Sequence, residues 1–169
     1  VQINTSVTSW SKVSAGVSYS LGTDTNNLLY AWGLNNAGQL GTSDTISRSS
    51  PTQAGVGSIT TTAGVSWSSV SAGNSYTVGI NSLGVAYAFG LNTSGALGVG
   101  DVISRSAPVQ LTGSVSYTQI FAGNSFTTGI ISDSTIYVVG NNTNAQLGTY
   151  PTTIPRSNPI VLGNRDIIN

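Results

Sequence analysis

The sequence predicts an all-β fold: a β-propeller of four-stranded antiparallel blades, present as three repeats. Three observations carry this. A 32-residue segment recurs three times without a gap, each copy is made of short β-branched and aromatic runs, and glycine falls at the same places in every copy. The copies are WSKVSAGVSYSLGTDTNNLLYAWGLNNAGQLG from Trp10 to Gly41, WSSVSAGNSYTVGINSLGVAYAFGLNTSGALG from Trp67 to Gly98, and YTQIFAGNSFTTGIISDSTIYVVGNNTNAQLG from Tyr117 to Gly148.

In the first copy Val13 and Ser14 run into Ala15-Gly16, Tyr19 and Leu21 form a second short run, and Leu29-Tyr30-Ala31-Trp32 a third. Gly, Asn, Asp and Ser clusters bound them, as turns require. No window has helical spacing with start and stop signals. The matched glycines are Gly16, Gly73 and Gly123, then Gly33, Gly90 and Gly140, then Gly41, Gly98 and Gly148. Such positions need either a positive φ or close approach of neighbouring backbone. An Arg-x-x-Pro unit follows each copy, at Arg48 to Pro51, Arg105 to Pro108 and Arg156 to Pro159.

The period is 57 residues and then 50, and most of the difference is a Gly/Thr-rich insertion at Gly55–Gly64. The blades are expected near 10–57, 67–113 and 117–162 of a single array, with 1–9 and 163–169 as flanking strand pieces of a continuing one. A β-solenoid is the competing arrangement, but its rungs usually have shorter and more uniform periods. Three blades do not close a ring, since closed propellers have about four or more. The array is therefore expected to be open, completed by other copies, or part of a longer chain.

Composition excludes more than it assigns. Ten of 169 residues are charged, five Lys or Arg and five Asp, and the net charge is zero. Ser, Thr, Asn and Gly supply 83 residues, while His, Cys and Met are absent. A neutral chain lacks the clustered Lys and Arg of a nucleic-acid surface. Without His or Cys it lacks most zinc ligands, imidazole acid–base chemistry, thiol nucleophiles and any disulfide framework. No run of about 18 apolar residues exists, so membrane insertion is not expected. The chain opens at Val1, not Met, and Val1–Trp10 has neither the basic nor the apolar region of a signal peptide, so a processed chain, an excised one or part of a longer one is expected. The low-charge Ser/Thr/Asn surface points to an extracellular or virion location.

Taken together, V-S-A-G-x-S-[YF]-[ST], Y-A-[WF]-G-x-N, G-[QA]-L-G and R-x-x-P resemble the regulator of chromosome condensation repeats, over about 150 residues. The resemblance implies a seven-bladed propeller of four-stranded blades. It also brings the family's founding activity, guanine-nucleotide exchange on a small GTPase with chromatin attachment, which calls for charged loops and a basic tail. Where the family commonly places His after A-G-x-x, this chain has Tyr19, Tyr76 and Phe126. The position is thus expected to be packing in all three copies. The low-charge form of the repeat resembles those of bacteriophage structural proteins and bacterial surface proteins.

No constellation points to catalysis, and no cofactor or metal is expected. Asp44 and Asp101 sit at matched places four residues before Arg48 and Arg105, and Pro151 takes that place in the third copy. They are expected to form loop ion pairs or turn caps, with Arg48, Arg105 and Arg156 bracing inter-blade loops through backbone carbonyls. Asp24 with Asn26 and Asn27 is too poor in carboxylates for a calcium loop and is expected to form a turn. Ser without His gives no triad, five scattered Asp give no glycosidase pair, and Gly55–Gly57 is an ordinary loop.

Trp10, Trp32 and Trp67 with Tyr30, Tyr87 and Tyr137 admit carbohydrate stacking, but their matched spacing favours the blade core. Trp32, Phe89 and Val139 exchange volume at one position, as fillers do. Asn-x-Ser/Thr sites begin at Asn4, Asn92 and Asn141. The expected function is a non-enzymatic structural or binding module of a larger assembly, its partners being other protein subunits or copies of itself. A soluble inhibitor or adaptor using its loop face is the alternative, for which only Tyr150 and Gly55–Gly64 break the repeat symmetry.

Overall fold

The structure, a computed structural model, describes residues 9–55, 66–149 and 154–162. Of the expected flanking pieces 1–9 and 163–169 only residue 9 is among them, and Tyr150, Pro151, Asn4 and residues 56–64 of the insertion lie outside them. The first blade is β1 (Trp10–Ala15), β2 (Tyr19–Asp24), β3 (Leu29–Gly33) and β4 (Arg48–Gln53). The second is β5 (Trp67–Ala72), β6 (Tyr76–Asn81), β7 (Ala86–Gly90) and β8 (Arg105–Gln110). The third is β9 (Tyr117–Ala122), β10 (Phe126–Ile131), β11 (Ile136–Gly140) and β12 (Arg156–Leu162). Each is an antiparallel sheet whose strands lie in chain order, which is the propeller blade the sequence predicts.

The registers repeat as the sequence does. Tyr19 pairs with Gly33, Tyr76 with Gly90 and Phe126 with Gly140. The first hairpin of each blade carries an irregularity at the opening aromatic. There the ring turns over a glycine of the middle strand: a Cβ on Gly22 would stand 2.7 Å from Trp10, on Gly79 2.7 Å from Trp67, and on Gly129 3.0 Å from Tyr117. This further matched set is needed because the aromatic occupies the volume of a side chain.

The core lies between blades. Period-2 alternation gives each sheet two apolar faces. Here the face toward the following blade is called trailing and the opposite one leading. Tyr19, Leu21, Leu29, Ala31, Leu40 and Ala54 on the trailing side of the first blade pack with Trp67, Phe89, Val70, Ala72 and Tyr87 of the second. Tyr76, Val78, Ala86, Ala88, Leu97 and Leu111 repeat the arrangement against Tyr117, Ile120 and Tyr137 of the third. Accordingly β5 packs on β1 and β2, and β9 on β5 and β6.

Candidate protein-binding face

Two loops of every blade emerge at one end, the short link between its first two strands and the long one between its last two. They are tied together by Leu34 N–H to Ser18 O, Leu91 N–H to Ser75 O and Asn141 N–H to Ser125 O, at 2.9, 2.8 and 2.8 Å. The glycines before the long loops are what allow this. Gly33, Gly90 and Gly140 hold φ at +106°, +109° and +108°, with an added Cβ falling within 2.7 Å of the second strand's backbone. Gly16, Gly73 and Gly123 lie in the short links under the Tyr19, Tyr76 and Phe126 rings. In the first two copies they also abut the next blade, since a Cβ would meet Gly73 O at 2.7 Å and Gly123 O at 2.8 Å.

A buried asparagine organises each long loop. Asn35, Asn92 and Asn142 are fully buried. Their carbonyls accept the amides of Leu40, Leu97 and Leu147 at 2.9, 3.0 and 3.0 Å. In the first two loops their Nδ2 groups donate to Ile46 O at 3.1 Å and Ile103 O at 3.2 Å, and to the backbone of Asp44 and Asp101. In the third, Nδ2 donates to Thr149 Oγ1 at 3.1 Å. The G-x-N pattern displays this residue, but its role emerges only once the partners nine and eleven residues downstream are folded back onto it. Asn92 is thereby withdrawn from solvent, so the glycosylation motif that begins there is closed.

Arg48 and Asp44 pair at 2.5 Å, Arg105 and Asp101 at 2.6 Å. The guanidinium holds Asp44 below the usual carboxylate range, with help from the Ile46 amide; at Asp101 the Ile103 amide is the larger influence and Arg105 the second. The arginines also donate to Ile46 O and Ile103 O, both at 2.6 Å. They therefore brace their own loop, not the seam between blades as expected, because the i,i+4 carboxylate turns the guanidinium inward. Backbone does the bridging instead. Ser43 N–H reaches Ser106 O at 2.9 Å and Gly100 N–H reaches Ser157 O at 3.0 Å. Arg156 Nε is buried without a hydrogen-bond partner among the described residues.

The tyrosines at the family's histidine place also do more than pack. Tyr19 donates its hydroxyl to Tyr76 O and Tyr76 to Phe126 O, across the two seams. Thr77 and Thr127 complete these contacts, at 3.1 and 3.2 Å from the hydroxyls. Burial pushes both phenols upward. Only Phe126 remains a packing ring alone.

Pinning of the Ile46 and Ile103 carbonyls in the first two loops leaves those side chains pointing out, and Ile154 stands at the matched place of the third. Ile46, Ile103 and Ile154 are 64%, 63% and 61% exposed, with Val17 and Val102 on the same end. The recurrence of Ile two residues before each Arg is readable in the sequence; its exposure is not. A shallow groove of about 410 Å³ lies beside the short links, lined by Ala15, Gly16, Ala72, Gly73, Ala122 and Asn124 among others.

Among the described residues no three acidic side chains gather to hold a metal. Asp24 accepts the Asn26 and Leu28 amides, both at 2.9 Å, which makes the expected turn. Trp67 is buried in the seam, and Trp10 sits edge-on to Tyr30 at 5.6 Å, half-buried. Rigid loops presenting aliphatic side chains suit contact with another protein.

Sequence profiles of the regulator of chromosome condensation repeat match residues 26–80 and 84–130, and a second profile of that repeat matches 10–39. No curated protein sequence matches the chain. Among solved structures, yeast Prp20 bound to Kap60 superposes with a TM-score of 0.81 at 18% identity, over 94% of this chain and 38% of that one. Saccharomyces cerevisiae Prp20p, with binding properties toward Gsp1p and histones, gives 0.79 at 19% over 94% and 39%. Human WBSCR16 gives 0.79 at 22% identity over 90% and 37%. The chain thus spans less than two-fifths of the length of these structures, and the likeness is one of fold.

Proposed function

The chain belongs to the family of regulator of chromosome condensation repeats, and from that premise we propose that it is a non-enzymatic binding module of a larger surface assembly. The assembly is of the virion or bacterial-surface kind, and contact is made through the loop face. The observation that carries the reading is the row of exposed Ile46, Ile103 and Ile154, the first two on loops pinned by buried Asn and paired Arg. The setting rests on the near-absence of charge and the abundance of Ser, Thr, Asn and Gly. The absence of catalysis rests on residue chemistry. There is no His or Cys, and the carboxylates of Asp24, Asp44, Asp101 and Asp133 are each engaged by amides or arginine.

A soluble adaptor is the second reading, favoured by the protein partners of Prp20. Both use the same face, and fractionation of the source separates them. Replacing Ile46, Ile103 and Ile154 together by Asp leaves the thermal midpoint nearly unchanged, since surface substitutions away from packed features cost about 0.5 kcal/mol or less. The protein carrying them is expected to leave the high-mass particle on gradient sedimentation. Continued co-sedimentation removes the loop face from the reading, and a wild-type protein found only free in solution favours the adaptor.

A further inference from the structure

The three long loops share one device but not one charge. The first carries Asp44 and Arg48 and the second Asp101 and Arg105, whereas the third has Arg156 and no Asp or Glu anywhere in 141–155. In the first two the carboxylate is clamped from two sides. Asp44 takes the Arg48 guanidinium at 2.5 Å and the Ile46 amide at 3.1 Å. Asp101 takes Arg105 at 2.6 Å and the Ile103 amide at 2.9 Å.

The matched donors of the third loop are the Arg156 guanidinium and the Ile154 amide. Neither makes a hydrogen bond or ion pair with another described residue, yet Arg156 Nε is buried. A guanidinium keeps its charge at every ordinary pH, and a buried N–H without an acceptor has given up its hydration for nothing.

The continuation of the array is not what supplies the acceptor. Arg105 stands in the blade with a neighbour on both sides, and it finds its carboxylate within its own loop. The backbone beside each arginine packs on the preceding blade: a Cβ on Gly38 would stand 2.7 Å from Arg105 O, and one on Gly95 2.9 Å from Arg156 O. For Arg156 that preceding blade is the second, which is in place. Asp24, Asp44, Asp101 and Asp133 are each engaged in their own turn or loop.

Charge and surroundings narrow the ligand. The third loop carries one positive charge where its counterparts are neutral, so it favours an anion. A guanidinium fork fits a carboxylate, and two loops of the same chain hold one at this place. A phosphate group brings nearly two charges, for which 141–162 offers a single cation. Beside the guanidinium Ile154 is 61% exposed and Pro155 is exposed, an aliphatic border that suits a protein surface.

We infer that the third long loop is a receptor for one Asp or Glu side chain of a partner protein. The Arg156 guanidinium and the Ile154 amide hold it as Asp44 and Asp101 are held, and the Ile154 side chain lies against the partner's aliphatic surface. This rests on the reading that partners seat on the loop face, and it names the chemistry they bring there.

Nitrogen-15 labelling of arginine, with Nε–H spectra of the 169-residue chain, reads each guanidinium separately, and Arg156→Lys identifies the Arg156 signal. The probe is the blocked peptide acetyl-Val-Asp-Val-amide, compared with its Asn counterpart and with sodium acetate at equal ionic strength. The Asp peptide is expected to move the Arg156 signal saturably, with half-effect at about 1–10 mM, while the Arg48 and Arg105 signals stay in place. Acetate is expected to bind about fivefold more weakly, and Ile154→Ser to bring the peptide down to the level of acetate. An Arg156 signal that does not move overturns the proposal, as do equal shifts at all three arginines or an Asn peptide that works as well. Acetate matching the Asp peptide makes a free small carboxylate the ligand and overturns the assignment to a partner protein. The titration needs no particle, so failure here and failure of the loop-face reading, seen in sedimentation of the isoleucine variants, are told apart.

Discussion

The third strands of the three blades, LYAWG, AYAFG and IYVVG, have one pattern and three burial states. In β7 every residue but Tyr87 is fully buried; in β3 the fourth residue, Trp32, is half-exposed; in β11 the first residue, Ile136, is exposed. The alternation fixes which face a side chain takes. Whether that face is dry depends on the presence of a blade beyond it. Among the described residues the middle blade has a neighbour on both sides and each outer blade on one.

That contrast can be broken most forcefully at the ring position. Phe89→Ala is expected to cost about 3–5 kcal/mol, since it empties the first seam. Trp32→Ala should cost only about 1–2 kcal/mol despite the larger ring, because half of it is already in water. Chemical denaturation measures both, and equal losses would mean that the first blade's leading face is covered.

A smaller and cleaner comparison uses two glycines of the same backbone geometry. Gly41→Ala and Gly148→Ala share the strain of a positive φ, but only the former drives a methyl into a ring. The first is expected to destabilise by about 1–3 kcal/mol more than the second.

The smallest effect concerns the tyrosine crossing the seam. Tyr76→Phe should cost about 0.5–1.5 kcal/mol at neutral pH, the net worth of one hydrogen bond, since Phe126 O keeps the Gly123 amide and Thr127 keeps Ala96 O, whereas Phe126→Tyr changes little. The phenols of Tyr19 and Tyr76 are raised by burial, so their stabilisation is complete below the unfolded value of about 10 and is lost as pH rises above it. Tyr76→Phe is therefore expected to flatten the fall in thermal midpoint above pH 10, and an unchanged slope would place that hydroxyl in water.

What could be read in advance followed the range of the interaction. The hairpins, the matched glycines and the Asp44–Arg48 and Asp101–Arg105 pairs involve residues close in sequence, and their chemistry is visible in short motifs. What the motifs hide is a partner that only the folded chain brings up, whether a full repeat away or within one folded-back loop. Tyr19 looks like a packing ring until Tyr76 O, 57 residues on, is brought to its hydroxyl. Arg48 looks like an inter-blade brace until its own loop folds back and takes both ends of the guanidinium. Asn35, Asn92 and Asn142 stand in plain view within G-x-N, yet a polar side chain there reads as surface until the loop closes over it.

The sequence by itself determined the blade. Side-chain alternation, turn glycines and a repeated spacing are local properties, and they dictate strands, registers and the residue type on each face. Only the tertiary structure decided which of those faces are covered, which asparagines are buried and which isoleucines are left outside. Burial is a property of neighbours: the same Val, Trp or Ile sits in a dry seam or in water according to what packs against it.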